Sequence, residues 1–392
     1  MEAFYRTHQY LVEHVQSPVR RLLMDEIDWT CRLIGIKGSR GVGKTTFLLQ
    51  YAKEKFGKDN PKCLYINFNN FFFTTHTLLD FVEMFYRNGG RTLLIDQTFK
   101  YENWAQELRQ CYDRFSELHI VFSGSTVMRL TEGNEYIKDI VAMYNLRGFS
   151  FREFVYLQSG KEFAAYSIEQ IIENHENITR EICTEINPLA FFQMYLHHGY
   201  YPFYLEKRNF SENLLKTMNM MLEVDILLIK QIELKYLSKI RKLLYLLMQN
   251  STVAPNVSQL SNEISTSRAT IMNYIKYLQD ARLLNLLYRT GDAFPKKPSQ
   301  IYVHNPNLLH IISPSEVNRQ TERKTFLYNA LHVKHKINTG GQRFDFLIDG
   351  KYQFKCGHQP AHPHLNSKII YAADIKTGTK NEIPLWLFGF LY

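Results

Sequence analysis

Long apolar runs are missing from this sequence, and their absence excludes an ordinary transmembrane helix. No stretch approaches the roughly 20 consecutive apolar residues that are needed to cross a bilayer. The N-terminal residues 1–16 carry charges and histidines where a secretory signal peptide needs an apolar segment. We therefore expect a chain that is neither secreted nor embedded in a membrane, and that acts in the cytoplasm.

Cysteine is scarce and irregularly spaced. The five cysteines, at positions 31, 63, 111, 183 and 356, never occur as Cys-x-x-Cys, which excludes a zinc ribbon. Their odd number and scatter argue against a disulfide framework and predict reduced thiols, most of them buried. Internal repeats and low-complexity tracts are also missing. With 14% aromatic residues, the 392 residues are expected to form two or three packed domains.

Strand and helix patterns alternate over the first 150 residues. Apolar strands are predicted at 32–37, 63–67, 92–96 and 119–123, separated by helices that begin at 44 and cover 75–86 and 103–115. Nearly continuous apolar strands are typical of a parallel sheet with both faces covered by helices. After Ser150 the strand signal stops, and helical periodicity continues to about residue 235. The fold class is therefore α/β, followed by a helical lid or second subdomain.

The turn after the first strand matches the pattern G-x-x-x-x-G-K-[ST] in full. Its glycines let backbone N–H groups point at phosphate oxygens, and the following helix adds its dipole. Lys44 is expected to reach the β- and γ-phosphates, and the Thr45 hydroxyl to ligate Mg²⁺. The alternative is an ordinary glycine-rich turn. The pattern predicts binding of ATP with Mg²⁺ by Gly38, Ser39, Arg40, Gly41, Val42, Gly43, Lys44, Thr45 and Thr46.

Polar residues follow two other predicted strands. Asp96 ends the third strand and is expected to hold the Mg²⁺ shell, although it could be a plain strand-end aspartate. Gln97 comes next, where a hydrolysing ATPase usually has a glutamate; an amide orients water but cannot accept its proton. Ser123 ends the fourth strand, where it either senses the γ-phosphate or caps the next helix. We therefore assign Lys44, Gln97 and Ser123 as candidate catalytic residues.

The whole chain resembles prokaryotic AAA-type ATPases that join a P-loop domain to a winged helix and a nuclease-like domain. The resemblance is carried by RLIGIKGSRGVGKTTFLLQY, TLLIDQTFKYENWAQELRQCYD, HIVFSGST, YNLRGFSFREF, GYYPFYLE and FDFLIDGKYQF. It implies an ATP-binding switch or motor with an unidentified protein partner. It also implies that Pro202 contacts the base, unless that proline only breaks two helices.

The sequence departs from this family pattern near the expected hydrolysis machinery. Gln97 stands where the family usually has an acidic residue, and Asp139 and Ile140 replace the usual Gly-Arg pair. An arginine finger is then missing from its expected position. Arg147 and Arg152 lie nearby in sequence, as substitutes or as structural arginines. The resemblance therefore implies weak or slow hydrolysis.

Residues 236–304 resemble a winged helix. Ser258 is expected to cap one helix, and Thr266 or Ser267 the next. DNA binding would place Ser267, Arg268, Thr270 and Asn273 in a major groove, with Lys296 and Lys297 on phosphates. Over 266–300, six Lys and Arg face two Asp. This charge, like the chain's net +9, permits DNA, but docking of a protein fits the same module.

The last segment resembles a nuclease-like α+β domain with an incomplete metal site. Glu322 is expected on a helix, and Asp345, Gln353 and Lys355 on strands. Gln353 stands where a metal-dependent nuclease needs a glutamate, so no nuclease activity is expected. The histidines at 358, 362 and 364 are expected to be exposed loop residues.

We thus predict a P-loop ATPase domain at 1–150, a helical lid at 151–235, a winged helix at 236–312 and a degenerate nuclease-like domain at 313–392. The expected function is an ATP-dependent switch with slow hydrolysis. A nucleotide-modulated DNA-binding regulator and an interaction protein that never turns over ATP are the alternatives.

Overall fold

The computed structural model of the chain describes residues 1–126, 134–206, 209–228, 230–249, 254–312, 317–360 and 368–392. It divides into two compact units, Met1–Gly148 and Phe149–Tyr392. Among the described residues, no helix is long and apolar enough to cross a membrane. The histidines predicted at 362 and 364 lie outside the described residues.

Within the described residues, the first unit contains five helices and five strands. The helices are α1 (Glu2–His14), α2 (Leu23–Glu26), α3 (Lys44–Lys55), α4 (Leu78–Arg87) and α5 (Trp104–Arg114). The strands are β1 (Leu33–Gly38), β2 (Cys63–Asn67), β3 (Thr92–Asp96), β4 (His119–Ser125) and β5 (Ala142–Asn145). Short 3₁₀ helices cover Phe71–Thr74 and Thr98–Lys100.

The five strands of the first unit form one parallel sheet in the order β2-β3-β4-β1-β5. The predicted parallel α/β sheet is therefore confirmed. All strands point the same way, so their carboxyl ends, including Gly38, Asp96 and Ser125, lie along one edge. Strands β1, β3 and β4 are almost wholly buried because helices cover their apolar side chains.

The sequence interpretation placed no strand between residues 124 and 150, and β5 shows that this was wrong. It has only four residues, all of them half-buried, so it lacks the apolar run that identified the others. Its pairing with β1, in the register Ile34↔Ala142 to Lys37↔Asn145, comes from the sheet rather than from local propensity.

The second unit contains nine helices and seven strands within the described residues. The helices are α6 (Phe151–Ser159), α7 (Ile168–Glu185), α8 (Pro188–Met194), α9 (Phe210–Met220), α10 (Leu237–Gln249), α11 (Val257–Glu263), α12 (Arg268–Asp280), α13 (Pro306–Ile312) and α14 (Arg319–Leu331). The strands are β6 (Leu284–Leu287), β7 (Gln300–Val303), β8 (Ile337–Thr339), β9 (Phe346–Ile348), β10 (Tyr352–Cys356), β11 (Ile369–Ala373) and β12 (Glu382–Pro384). Turns of π-helix cover Tyr195–Gly199 and Met221–Leu228, and 3₁₀ helices cover Pro202–Glu206, Leu234–Tyr236 and Leu385–Phe390.

One hydrophobic core joins both ends of the second unit. Phe151 and Phe154 of α6 belong to the same buried cluster as Phe326 of α14 and Trp386 of the last 3₁₀ helix. The ring of Phe192 meets that of Phe326 edge to face, with centroids 4.8 Å apart. Helices from the predicted lid thus share a core with the predicted terminal domain. The division of residues 151–392 into three domains stays a prediction.

The terminal sheet has the order β12-β11-β10-β9-β8. The pairs β8–β9 and β9–β10 are antiparallel, whereas the pairs β10–β11 and β11–β12 are parallel. This mixed sheet packs against α14 through buried residues such as Phe346, Phe354 and Leu327. The α+β character predicted for this segment is therefore present.

Helix caps in the segment 236–304 follow the sequence prediction at one site only. Ser267 caps α12 by accepting a hydrogen bond from the Thr270 N–H at 3.0 Å, as expected. The predicted cap Ser258 is wrong, because Ser258 lies inside α11 and Asn256 accepts the Gln259 N–H instead. Asparagine and serine are equally good caps, so spacing alone could not separate them.

Candidate functional site

The glycine-rich turn between β1 and α3 has the backbone of an anion-binding loop. Gly41 and Gly43 adopt φ angles of +83° and +92°, which only glycine adopts without strain. Alternation of such residues with ordinary ones turns successive N–H groups toward the same side. The helix α3 begins at Lys44 directly after this turn. Its first N–H groups and positive dipole end therefore point into the loop.

Gly38 is required where the loop begins. A Cβ atom at this position would lie 2.5 Å from the carbonyl oxygen of Leu146 and 3.0 Å from Val42 Cγ2. The Leu146 N–H donates to the Lys37 carbonyl at 2.8 Å, so the main chain after β5 is fixed beside the loop. The missed strand β5 thus forms one wall of the predicted phosphate site.

The Lys44 side chain folds back into the loop. Its ammonium group donates to the carbonyl oxygens of Gly38 and Ser39 at 2.8 and 2.9 Å. Val42 is fully buried beneath the turn and Ser39 almost so. The loop therefore holds a positive charge together with converging N–H groups, which is the chemistry that a polyphosphate requires.

Asp96 lies at the centre of a buried hydrogen-bond cluster and is only 1% exposed. Its Oδ2 accepts from the Thr45 hydroxyl at 2.6 Å and from the Tyr65 phenol at 2.9 Å. Its Oδ1 accepts from the Ser123 hydroxyl and, at 3.0 Å, from the Gln97 N–H. The structure thus brings together Thr45, Asp96, Gln97 and Ser123, which were singled out separately in the sequence.

Gln97 is held in a conformation that is rare for a residue with a side chain. Its φ of +59° lies in the left-handed region, and its N–H also points at the Ser123 hydroxyl, 3.1 Å away. The Gln97 side-chain oxygen accepts from the Asn69 amide at 2.8 Å. Local strain of this kind is typical of functional sites, where the surrounding structure has to maintain it. Asn69 lies in the turn after β2, and the sequence analysis did not single it out.

Tyr65 is the other residue of this cluster that sequence reasoning missed. Its ring lies within the buried strand β2, where a tyrosine is indistinguishable from an ordinary core residue. Burial, followed by the nearby Asp96 charge, raises the pKa of the Tyr65 phenol far above its ordinary value. The phenol is therefore a hydrogen-bond donor at neutral pH.

Comparison with known protein families identifies the kind of domain in the first unit. A family model described as "AAA domain" matches residues 30–155, which include the loop, Asp96 and Ser123. The first unit therefore carries an AAA-type nucleotide-binding domain. A second model, described only as a domain of unknown function, matches residues 190–314. It spans the end of the predicted lid and the whole predicted winged helix.

One relative among curated proteins is the uncharacterized protein MJ1637 of Methanocaldococcus jannaschii. The two sequences are 25% identical over 280 residues, which are 67% of this chain and 58% of the relative. The match therefore spans little more than half of that protein's length.

The likeness to solved structures is weak. They include C. elegans PCH-2 (16% identity, TM-score 0.25, covering 40% of this chain and 43% of that one). AMPPCP-bound DnaA from Aquifex aeolicus has 16% identity and a TM-score of 0.26 over 70% and 87% of the two chains. Aeropyrum pernix ORC1 in complex with DNA has 9% identity and a TM-score of 0.30 over 80% and 92%. Scores this low carry no argument about function.

The arginines near the AAA domain differ in their surroundings. Arg152, in the second unit, donates to the carbonyls of Phe163 and Tyr392 at 3.2 Å, which is a structural role. Arg147 follows β5 at the P-loop edge of the sheet, and its own carbonyl accepts from Arg21 at 2.6 Å. Asp139 pairs with Arg109 at 2.9 Å. Of the two arginines considered as substitutes for a finger, Arg147 belongs to the same unit as the loop.

Pro202 belongs to the second unit, and its contact with a base stays a prediction. The preceding π-helical turn is clamped by the fully buried Asn307. The Asn307 amide donates to the carbonyls of Tyr195 and Leu196 at 2.9 and 2.8 Å, and its oxygen accepts the Tyr200 N–H at 2.9 Å. The Asn307 side chain therefore fixes the main chain that leads into the Gly-Tyr-Tyr-Pro turn.

The segment 236–304 has the element order expected of a winged helix, three helices followed by the antiparallel pair β6 and β7. On α12, Arg268 and Asn273 are exposed, as are Lys296 and Lys297 on the turn between the strands. Ser267 and Thr270 hydrogen-bond each other at 2.8 Å in the helix cap. Ser267 is exposed as well and Thr270 is half-buried, so most of the predicted DNA-facing set is presented to solvent. DNA binding stays a prediction.

One of the predicted nuclease-like residues, Asp345, is paired with the cationic side chain of Lys324. Lys324 contacts Asp345 Oδ1 at 2.7 Å, and the Cys356 N–H donates to Oδ2 at 2.8 Å. Gln353 and Lys355 lie on β10, where Gln353 is opposite Leu347 in the middle of β9. Within the described residues, no group of three or more His, Cys, Asp and Glu could hold a metal ion. The lack of nuclease activity stays a prediction.

Proposed function

We propose that this protein is an ATP-dependent switch that binds Mg-ATP in its AAA domain and hydrolyses it slowly. The observation that carries the proposal is the 2.6 Å hydrogen bond between the first helical turn and the end of β3, Thr45 Oγ1 to Asp96 Oδ2. It unites the two groups that a nucleotide-bound Mg²⁺ requires, a hydroxyl ligand and a carboxylate that can bind through water.

The residues of this site fit Mg-ATP. Lys44 and the N–H groups of residues 38–46 would hold the phosphate oxygens, while Thr45 and Asp96 would hold the metal. The Thr45 proton is already directed at Asp96, so its hydroxyl lone pairs are available to a cation. When bound, Mg²⁺ would neutralise charge on the phosphates.

Slow turnover follows from Gln97. A hydrolysing ATPase needs a group that accepts a proton from the attacking water, and an amide cannot accept one. The Gln97 oxygen is moreover engaged by Asn69. The replacement of the usual Gly-Arg pair by Asp139 and Ile140 removes a cation that would stabilise transition-state charge. Binding is thus favoured over turnover, as expected of a switch.

The test of nucleotide binding uses Lys44→Ala. We expect labelled ATP to bind the wild-type protein in the presence of Mg²⁺, and the variant to lose at least about tenfold in affinity, because charge-assisted bonds to phosphate are lost. Lys55→Ala is the matched control, since Lys55 lies exposed at the other end of α3. Equal affinity of wild type and Lys44→Ala would contradict the proposal.

The test of slow hydrolysis uses Gln97→Glu. A carboxylate at this position still accepts from Asn69 and adds a general base, which typically contributes about 10²-fold or more in rate. Single-turnover release of phosphate should therefore be faster in Gln97→Glu. Gln97→Met, of similar size but without polar atoms, controls for changes in packing. An unchanged rate in Gln97→Glu would remove the amide as the explanation.

DNA binding is the second candidate function, and the charge of the predicted winged helix favours it. Residues 236–304 contain nine Lys and Arg against three Asp and Glu. The charge of Lys296 is partly compensated by an ion pair with Asp292 at 2.6 Å. Arg268, the first residue of α12, adds an exposed positive charge. This distribution suits a phosphate backbone.

The DNA hypothesis is tested by salt-dependent binding of a duplex. The double variant Lys296→Ala with Lys297→Ala should weaken binding uniformly across sequences and reduce the salt slope by about 2. Lys53→Ala with Lys55→Ala, on the exposed part of α3, is the charge-matched control. No measurable affinity at low salt would reject this function and favour docking of a protein partner. The cytoplasmic location stays a prediction and rests on the scattered thiols.

A further inference from the structure

We propose that Tyr65 is a positioning residue of the Mg²⁺ site, which holds the Asp96 carboxylate in the orientation that the metal requires. The phenol donates to Asp96 Oδ2 and acts on the site through this carboxylate. This inference rests on the proposed function.

The register of the sheet places Tyr65 where its long side chain can reach the strand end. In the parallel pair of β2 and β3, Tyr65 lies opposite Leu94, and Asn67 lies opposite Asp96. Residues two apart on a strand share a face, so Tyr65, Asn67 and Asp96 lie on the same side of the sheet. The phenol extends along this face and ends 2.9 Å from Asp96 Oδ2.

The hydrogen bonds around Asp96 leave its carboxylate little freedom to rotate. Each oxygen accepts two donors, and Tyr65 shares Oδ2 with Thr45. The Asn67 amide points at the Tyr65 oxygen from 3.4 Å, which leaves the phenol proton for Asp96. Of the four donors, Thr45, Gln97 and Ser123 belong to the predicted nucleotide machinery itself. Tyr65 is a fixed support outside that machinery.

Tyr65 is also anchored through its main chain. Its N–H donates to the Nδ1 of the buried His8 on α1 at 3.0 Å, and its side chain is only 4% exposed. A ring held at both ends positions a carboxylate better than a mobile side chain does. Outer-shell partners of this kind typically affect metal affinity by about 10- to 100-fold.

The inference predicts a specific effect of Tyr65→Phe. This variant keeps the ring and its packing but removes the donor to Oδ2, so Asp96 can rotate away from the metal. Contacts of Lys44 and the loop with phosphate are unaffected. The Mg²⁺ concentration needed for half-maximal ATP binding should therefore rise about tenfold, while ATP affinity in EDTA should stay within about twofold of wild type.

The experiment titrates the full-length protein with fluorescent ATP at a series of Mg²⁺ concentrations and in EDTA. Tyr101→Phe is the matched control, because Tyr101 also donates its phenol to a carboxylate, Glu107 Oε1 at 2.7 Å, outside the site. The expected result is a rise in the Mg²⁺ midpoint for Tyr65→Phe and none for Tyr101→Phe. An unchanged midpoint in Tyr65→Phe, or an equal loss of affinity with and without Mg²⁺, would overturn the inference.

The failure of this inference is distinguishable from failure of the proposed function. If wild type does not bind ATP, the proposed function fails; if wild type binds with Mg²⁺ and Tyr65→Phe behaves like it, only the inference fails. Should Tyr65→Phe not fold, Asn67→Ala decides, since it keeps the phenol but removes the amide that orients it. A higher Mg²⁺ midpoint in Asn67→Ala supports the role of Tyr65, and an unchanged midpoint overturns it.

Discussion

A buried histidine makes the stability of the first unit depend on pH. His8, on α1, is fully buried, and its Nδ1 accepts the Tyr65 N–H at 3.0 Å. The strand β2 is at the edge of its sheet, so this N–H has no neighbouring strand on that side. The ring can accept the hydrogen bond only while Nδ1 is unprotonated.

The size of the effect follows from the pKa shift. Burial lowers the pKa of His8 from 6.5 to about 4. Because the unfolded chain binds this proton more tightly, stability is fully present above pH 6.5 and is lost as the pH falls toward 4. At 1.36 kcal/mol per pKa unit, the loss amounts to about 3 kcal/mol.

The assay compares the free energy of unfolding of wild type and His8→Asn between pH 7 and pH 4. An asparagine oxygen can replace Nδ1 as acceptor without titrating, and the comparison cancels the carboxylates that titrate in both proteins. Denaturant unfolding followed by fluorescence of Trp29 and Trp104 reports on the first unit, although Trp386 contributes a separate signal from the second. The difference between the two proteins should change by about 3 kcal/mol over this range. A difference that does not change with pH would refute a neutral, buried acceptor at His8.

Three further substitutions test individual contacts. Gly38→Ala should abolish ATP binding and lower the melting temperature, because its Cβ would lie 2.5 Å from the Leu146 carbonyl oxygen; a variant that binds normally would show that the loop can move. Asn307→Ala should lower the free energy of unfolding by about 3 kcal/mol, since three buried main-chain groups lose their partner; denaturant titration of the second unit measures this. Lys324→Met should cost about 2 kcal/mol by leaving Asp345 unpaired. Adding Asp345→Asn should restore most of that loss, because the neutral amide oxygen can still accept from the Cys356 N–H, and no recovery would mean that the lysine matters for packing alone.

Most of the first unit could be predicted because its strands have a clear sequence pattern. Four strands are continuous apolar runs, and the glycine-rich turn marks where the first of them ends. The fifth strand, Ala142–Asn145, carries no such run and is stabilised by pairing with β1. Such a tertiary contribution cannot be predicted from local composition.

The sequence predicted the motif residues of the candidate site but not the residues that hydrogen-bond to them. Lys44, Thr45 and Asp96 stand at positions fixed by a known spacing and by the end of a strand. Tyr65 and Asn69 belong to β2 and the turn after it, and nothing in their local pattern separates a supporting residue from a core tyrosine or a loop asparagine. Their role emerges only when the sheet register brings β2 beside β3.

Asp96, the last residue of β3, and Asp345, the residue just before β9, differ in how well they suit a metal. All four groups that donate to Asp96 are uncharged, so within the described residues its negative charge is stabilised but not cancelled. Asp345 instead contacts the ammonium group of Lys324, which has the position and charge that a bound cation would have. Displacing that lysine would cost a partly buried ion pair before any metal bound. Asp96 therefore suits the proposed Mg²⁺ site, whereas Asp345 in the terminal segment is already paired with an internal cation.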